Sequence, residues 1–218
     1  WTPKCFNSRH IVEAIYYTLF TAVVATVVST IVGTITAIGL SKSRRIVREV
    51  VQQINDLPIM NPEIVTAVGL MLFYVSLHME KGFLTMLLAH IAFCTPYVIL
   101  SVMPKLRGLD PNLAEAAMDL GARPTQAMWK VIVPQIMPGV VSGALIAFTM
   151  SFDDFIISYF VTGNGVKNIS TLVWTMSKRT KPSINSLSTL IVMMITITLL
   201  LVNIVPLVRE KAARNNKP

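Results

Sequence analysis

Three carboxylates in this chain stand in or beside long apolar runs, where a charge needs a reason. Asp153 and Asp154 form a tandem pair at the end of the uncharged run Val131–Phe152, and Glu63 follows the Asn61-Pro62 turn at the head of another apolar stretch. An acid inside a bilayer is costly and marks a pathway or a pairing partner. If a helix starts at Pro138, the tandem pair lies roughly 22 Å along its axis at about 1.5 Å per residue, past the midplane and toward the outside. Carboxylates there would replace the water of a cation, and the rings of Tyr97, Tyr159, Phe152 and Phe155 offer faces to cationic or methylene groups. Plainer readings stand beside this one. Asp153–Asp154 also suits an interfacial helix end, and Glu63 suits a helix N-terminus, where the dipole favours an acid.

A second pair of acids, Glu115 and Asp119, sits four residues apart. On a helix they share a face, repel mildly and want Arg or backbone N–H partners; the bland alternative is a solvated loop helix. No phosphate-cradling GxxxxGK[ST] loop, HExxH, Gly-x-Ser-x-Gly or Cys/His cluster occurs, so the chain reads as no enzyme and carries no energy source of its own. Cys5 and Cys94 belong to no CxxC pair. His90, in an apolar run, reads as a neutral residue bonded to a neighbouring helix, and most of the 12 Met residues as gap fillers.

Composition says what must carry these residues. Hydrophobic residues make up 53% of the 218 and charged residues 14%, against about a quarter charged in soluble domains. Mean hydropathy is +0.62. That leaves too little charge to coat a surface facing water and points to an all-α integral membrane protein in a lipid bilayer. The net charge of +8 lies in short clusters between apolar runs. Nothing interleaves it with aromatics, so no nucleic-acid partner is expected.

A span needs about 20 residues. Ala14–Ser41, Phe83–Pro104, Val131–Phe152 and Ser183–Val208 are uncharged runs of that order, and Ile64–Met79 joins them as a broken helix entering from near Ile46. Five spans result. With the C-terminus inside, twelve Lys and Arg face the cytoplasm and seven face outward, which satisfies the positive-inside rule. Residue 1 then lies outside, and a preceding first span is expected, six in the complete protein. Trp1 is an aromatic lip or an interfacial belt residue.

The cytoplasmic loop of about 26 residues, Lys105–Lys130, is long enough to be functional. It reads as two short helices. Asp110 caps the first with Pro111 at its first position, Gly121 ends it, and Pro124 starts the second.

Glu115-Ala116-Ala117, three residues, Gly121, nine residues, then Val131-Ile132-Val133-Pro134 resembles the EAA motif of ABC importer permeases, with Val131 and Val133 as mild departures. The stretch Ser151-Phe152-Asp153-Asp154-Phe155-Ile156-Ile157-Ser158-Tyr159-Phe160-Val161-Thr162-Gly163 is similar to the matching segment of spermidine/putrescine permeases. Trp1, the Asn61-Pro62-Glu63 turn, and His90 with Pro96 also resemble residues of that family, so the likeness covers essentially the whole chain. It implies a type I (MetI-like) importer fold, one transmembrane domain over 1–218 with its coupling loop at about 105–134, in a bacterial cell membrane.

The resemblance further implies that Glu115, Ala116, Ala117, Asp119 and Gly121 engage a separate ATP-binding subunit dimer, which holds the ATP and Mg. This chain itself would take no cofactor. A second permease subunit and an extracytoplasmic binding protein complete the expected assembly, the latter docking near the outer loop from Gly163 to Pro182. The substrate path would use Asp153, Asp154, Glu63, Ser151, Tyr97, Tyr159, Phe155 and Trp1, with a polyamine as cargo. Alternatives are a permease for an amino acid, sugar or anion, and a standalone channel; the tandem acids favour a cation.

Overall fold

The computed structural model describes residues 9–110, 112–163, 166–177 and 193. The chain divides into two compact units, Trp1–Val173 and Trp174–Pro218, and the fold below is that of the first. The described residues are helical and turn, with no strand among them. Helix α1 runs Arg9–Ser41, α2 Arg45–Met60, α3 Glu63–Ser76, α4 Phe83–Arg107, α5 Leu113–Asp119 and α6 Pro124–Ala127. A π-helical turn, Met128–Ile132, leads into α7 Val133–Asp153, followed by α8 Ile156–Val161 and α9 Ile169–Ser177.

The core is a three-helix cluster of α1, α4 and α7. Small residues let these helices meet. On α1, Ala22, Ala25, Ser29, Gly33 and Ala37 are buried along one face. On α7, Gly139, Gly143, Ala147 and Ser151 repeat at every fourth position, all buried. Val98 of α4 is pinched between the two stripes. A Cβ at Gly33 would lie 2.8 Å from the Val98 side chain, and one at Gly143 would lie 3.1 Å from the Val98 Cα. Close backbone approach through small residues is how helices associate where lipid removes the hydrophobic drive between them. The opposite face of α1 exposes Val23, Val27, Ile31 and Ile35, a stripe suited to acyl chains.

Among the described residues, three helices are long and apolar enough to span a bilayer: Ile11–Ser41, Phe83–Arg107 and Pro124–Asp153. The last is longer than the expected run because α6, the π turn and α7 are continuous. The pair α2 and α3 meets the criterion only together and is bent by 107°, which makes the broken helix sharper than a kink. Its breaker is Asn61-Pro62: Asn61 is extended, and Pro62 has φ −54° and ψ 134° just before Glu63. The expected span Ser183–Val208 lies outside the described residues.

Candidate functional site

Helix α7 stops at Asp153 because Asp154 leaves the helical region, with φ −58° and ψ 128°. Its side chain then begins the next helix. Oδ1 accepts the Ile157 N–H at 3.2 Å, while Oδ2 accepts both the Ser158 N–H and its hydroxyl at 2.8 Å. Standing one residue before the N-cap position Phe155, Asp154 thereby meets N–H groups in the first turn of the helix, and its negative charge suits a helix N-terminus. Asp154 is 6% exposed.

His90 of α4 reaches the same point. Its Nδ1 lies 2.7 Å from Ser151 Oγ on α7, and its Nε2 lies 3.0 Å from Ser158 Oγ on α8 and 3.4 Å from Asp154 Oδ2. Asn168 closes the ring. Its amide donates to the Asp154 carbonyl and to Ser158 Oγ, each at 2.9 Å, while its own Oδ1 accepts the Thr171 N–H and caps α9. Nearby, Thr85 Oγ1 donates to the Val161 carbonyl, and Thr18 Oγ1 accepts the Ile169 N–H, both at 2.9 Å. The result is a buried polar hub that joins α4, α7, α8 and α9, with every side chain in the ring partnered. A low dielectric makes such a network strong when complete and costly when broken.

Two residues expected on the path, Asp154 and Ser151, therefore turn into protein. Helix α8 begins immediately after the break, so Asp154 is consumed as its cap, and Ser151 lies on the buried stripe of α7. Asp153 is exposed, and no hydrogen bond or ion pair holds its carboxylate among the described residues; Ser170 Oγ contacts only its carbonyl, at 3.3 Å. Tyr159 is half exposed and its ring lies 5.6 Å from that of Phe155. Glu63 is exposed in the first turn of α3. Tyr97 stacks edge-on against Phe93 at 5.6 Å. Helix α3 packs against α8, so the elements carrying Glu63 and Tyr159 share an interface. Trp1, Lys178 and Arg179 lie outside the described residues.

The second candidate site is the loop between α4 and α7. Helix α5 begins at Leu113, later than the expected Asp110 cap, because Asp110 Oδ1 instead closes a turn on the Asn112 N–H at 2.9 Å. Its C-terminus fits the expectation. Gly121 has φ +87°, its N–H bonds the Met118 carbonyl at 2.8 Å, and the Ala122 N–H bonds the Ala117 carbonyl at 3.1 Å. This paired closure needs a left-handed residue, hence glycine. Pro124 starts α6, where the Arg123 N–H is met by Gln126 Oε1 at 3.0 Å. Glu115, Ala116 and Asp119 are exposed, Ala117 is half-buried, and Leu120 is 90% exposed. Lys42, Arg48 and Arg107 line a cleft of about 390 Å³ under this loop, so this end of the bundle is basic.

Among the residues that the pattern of the sequence does not join, Ser158 and Asn168 matter most. Ser151, Asp154 and Ser158 follow helical spacing, which is a usable signal. Nothing in the sequence marks Asn168, whose role depends on a return of the chain.

The profile of binding-protein-dependent transport system inner membrane components matches residues 29–210, and the chain belongs to that family. The spermidine/putrescine transport system permease protein PotC of Haemophilus influenzae is 35% identical over 212 residues, covering 97% of this chain and 81% of that protein. PotC of Escherichia coli K12 is 31% identical over 195 residues, covering 89% and 74%. Among solved structures, an inward-facing MetNI methionine ABC transporter superposes with a TM-score of 0.67 at 19% identity, over 96% of this chain and 98% of that one. That likeness is one of fold. The molecule is a helical, membrane-embedded ABC permease component with the MetI-like architecture.

Proposed function

We propose that this chain is one permease subunit of a bacterial polyamine importer, passing spermidine or putrescine received from an extracytoplasmic binding protein. The observation that carries the cargo is the 35% identity with a spermidine/putrescine permease over 97% of the chain, together with the exposed carboxylate of Asp153, which nothing among the described residues holds, and the Phe155 and Tyr159 rings of the following segment. A polyamine is a string of ammonium groups on methylenes. A free carboxylate takes the ammonium, and aromatic faces take both parts. Glu63, exposed at the head of α3, offers a second carboxylate for the same chemistry.

The motor is separate. Two ATP-binding subunits hold ATP and Mg and grip the α5 loop through Glu115, Ala116, Ala117, Asp119 and Gly121, with Leu120 as the apolar knob. Closure of the ATPase pair pulls α5 inward, and the spans of this chain and of a second permease subunit rock between inward- and outward-facing states. The chain forms one transmembrane domain over 1–218, with its loop at 105–134 and its C-terminus in the cytoplasm. The basic cleft of Lys42, Arg48 and Arg107 supports that orientation under the positive-inside rule.

The test is reconstitution of this chain with its co-encoded ATPase, second permease and binding protein in vesicles. ATP-dependent uptake of labelled spermidine or putrescine is expected. Uptake of an amino acid or sugar with no polyamine uptake would overturn the cargo assignment, and uptake without ATP would overturn the motor.

A further inference from the structure

We propose that His90 is the positioning residue of the transport path. It locks the break between α7 and α8 so that, of the tandem acids, Asp153 and not Asp154 meets the cation, while Asp154 and Ser151 serve the imidazole and never touch the solute. The inference rests on the polyamine reading above and divides its tandem acids into one that binds and one that holds.

Hydrogen accounting leads there. Ser158 has one hydroxyl hydrogen, and it goes to Asp154 Oδ2 at 2.8 Å. Its contacts with Asn168 Nδ2 and His90 Nε2 are then acceptances, so Nε2 carries a hydrogen. In the neutral imidazole Nδ1 then accepts from Ser151. His90 is thus tied to α7 before the break, through Ser151, and to α8 after it, through Ser158. Meanwhile Asp154 accepts three hydrogens from the first turn of α8. To reach a cation it would have to uncap that helix and abandon a buried histidine. The backbone on either side is also held, the Asp153 carbonyl by Ser170 and the Asp154 carbonyl by Asn168. Of the two tandem acids, Asp153 is the one whose carboxylate is left over among the described residues, exposed at the tip of α7. One carboxylate from the pair rather than two suits a conduit, where a site must be attractive enough to enter and weak enough to leave.

A double-mutant cycle in the complete reconstituted transporter decides the matter. Asp153→Asn should raise the KM for spermidine about tenfold, and His90→Asn should raise it by a similar factor. The double variant should be no worse than Asp153→Asn, because nothing remains to be positioned. A purely structural histidine would lower the maximal rate equally in both backgrounds; effects that multiply would overturn the proposal. If His90→Asn does not assemble, Ser158→Ala, which removes one hydroxyl, carries the same cycle.

A second measurement does not depend on the solute. Asp153→Cys, with Cys5 and Cys94 replaced by Ala, is labelled by a cationic thiol reagent, and adding Ser158→Ala should change the rate about tenfold. An unchanged rate overturns the positioning role. A wild type that takes up no polyamine, with a labelling rate that still responds, overturns the cargo and leaves the positioning role standing.

Discussion

At the scale of single residues, the two candidate sites differ in what they ask of a side chain. In the hub each polar atom is already spoken for, so a deletion leaves a buried partner bare. Asn168→Ala removes bonds to the Asp154 carbonyl, to Ser158 and to the Thr171 N–H. It is expected to destabilise the protein by about 1–3 kcal/mol, read as a lower Tm of the purified protein in detergent. The loop asks for conformation and charge instead. Gly121 stands at φ +87°, and a β-branched residue there costs about 1–2 kcal/mol. Gly121→Val should therefore loosen the end of α5 and lower ATP-coupled uptake, while the spans, far from the turn, keep their Tm. Glu115→Lys reverses a charge on the exposed face of α5. ATP hydrolysis that continues without uptake is the expected result, and intact coupling in vesicles would refute the role given to that face.

At the scale of elements, the bundle is set by glycine and alanine rather than by large side chains. Gly139 and Gly143 bring α7 against α4: an added Cβ would meet Lys105 Cγ at 2.7 Å and the Ser101 carbonyl oxygen at 3.0 Å at the first, and the Val98 Cα at 3.1 Å at the second. The lysine can swing away; the backbone atoms at both positions cannot. Gly143→Leu is expected to cost at least about 1–3 kcal/mol and to lower the yield of assembled complex, whereas Gly139→Ala, which adds a single carbon, is expected to be milder. Thermal unfolding of the two variants side by side checks the order. The four-residue repeat Gly139, Gly143, Ala147, Ser151 is visible in the sequence as a small-residue stripe, yet its partner is not, since a stripe names a face and not the helix across from it. The reverse holds for α2 and α3. Asn61-Pro62 announces a break, but the 107° bend depends on how far each half can be carried by its neighbours.

At the scale of the whole molecule, the outward apolar stripe of α1, the small-residue core and the basic cleft belong to a permease component embedded in lipid, with the α5 loop on one side of it. If that side is the cytoplasm, Leu120→Cys in sealed right-side-out vesicles reacts with an impermeant thiol reagent only after permeabilisation. Labelling in sealed vesicles would invert the orientation and remove the loop from the reach of any ATPase.

The division between what the chain alone determined and what its packing decided follows from the range of the interactions. The presence of the apolar runs that become α1, α4 and α7, the glycine that ends α5, the proline that starts α6 and the spaced EAA pattern are local. Hydropathy, φ preference and residue order within a turn or two set them, so the order of the amino acids suffices to read them. The fate of the tandem acids is not local. Asp153 and Asp154 are neighbours of the same type in the same apolar setting, and a histidine 64 positions earlier and an asparagine 14 positions later help make one of them a buried cap while the other stays exposed. That choice depends on desolvation and hydrogen bonding across four helices, which no stretch of sequence contains by itself.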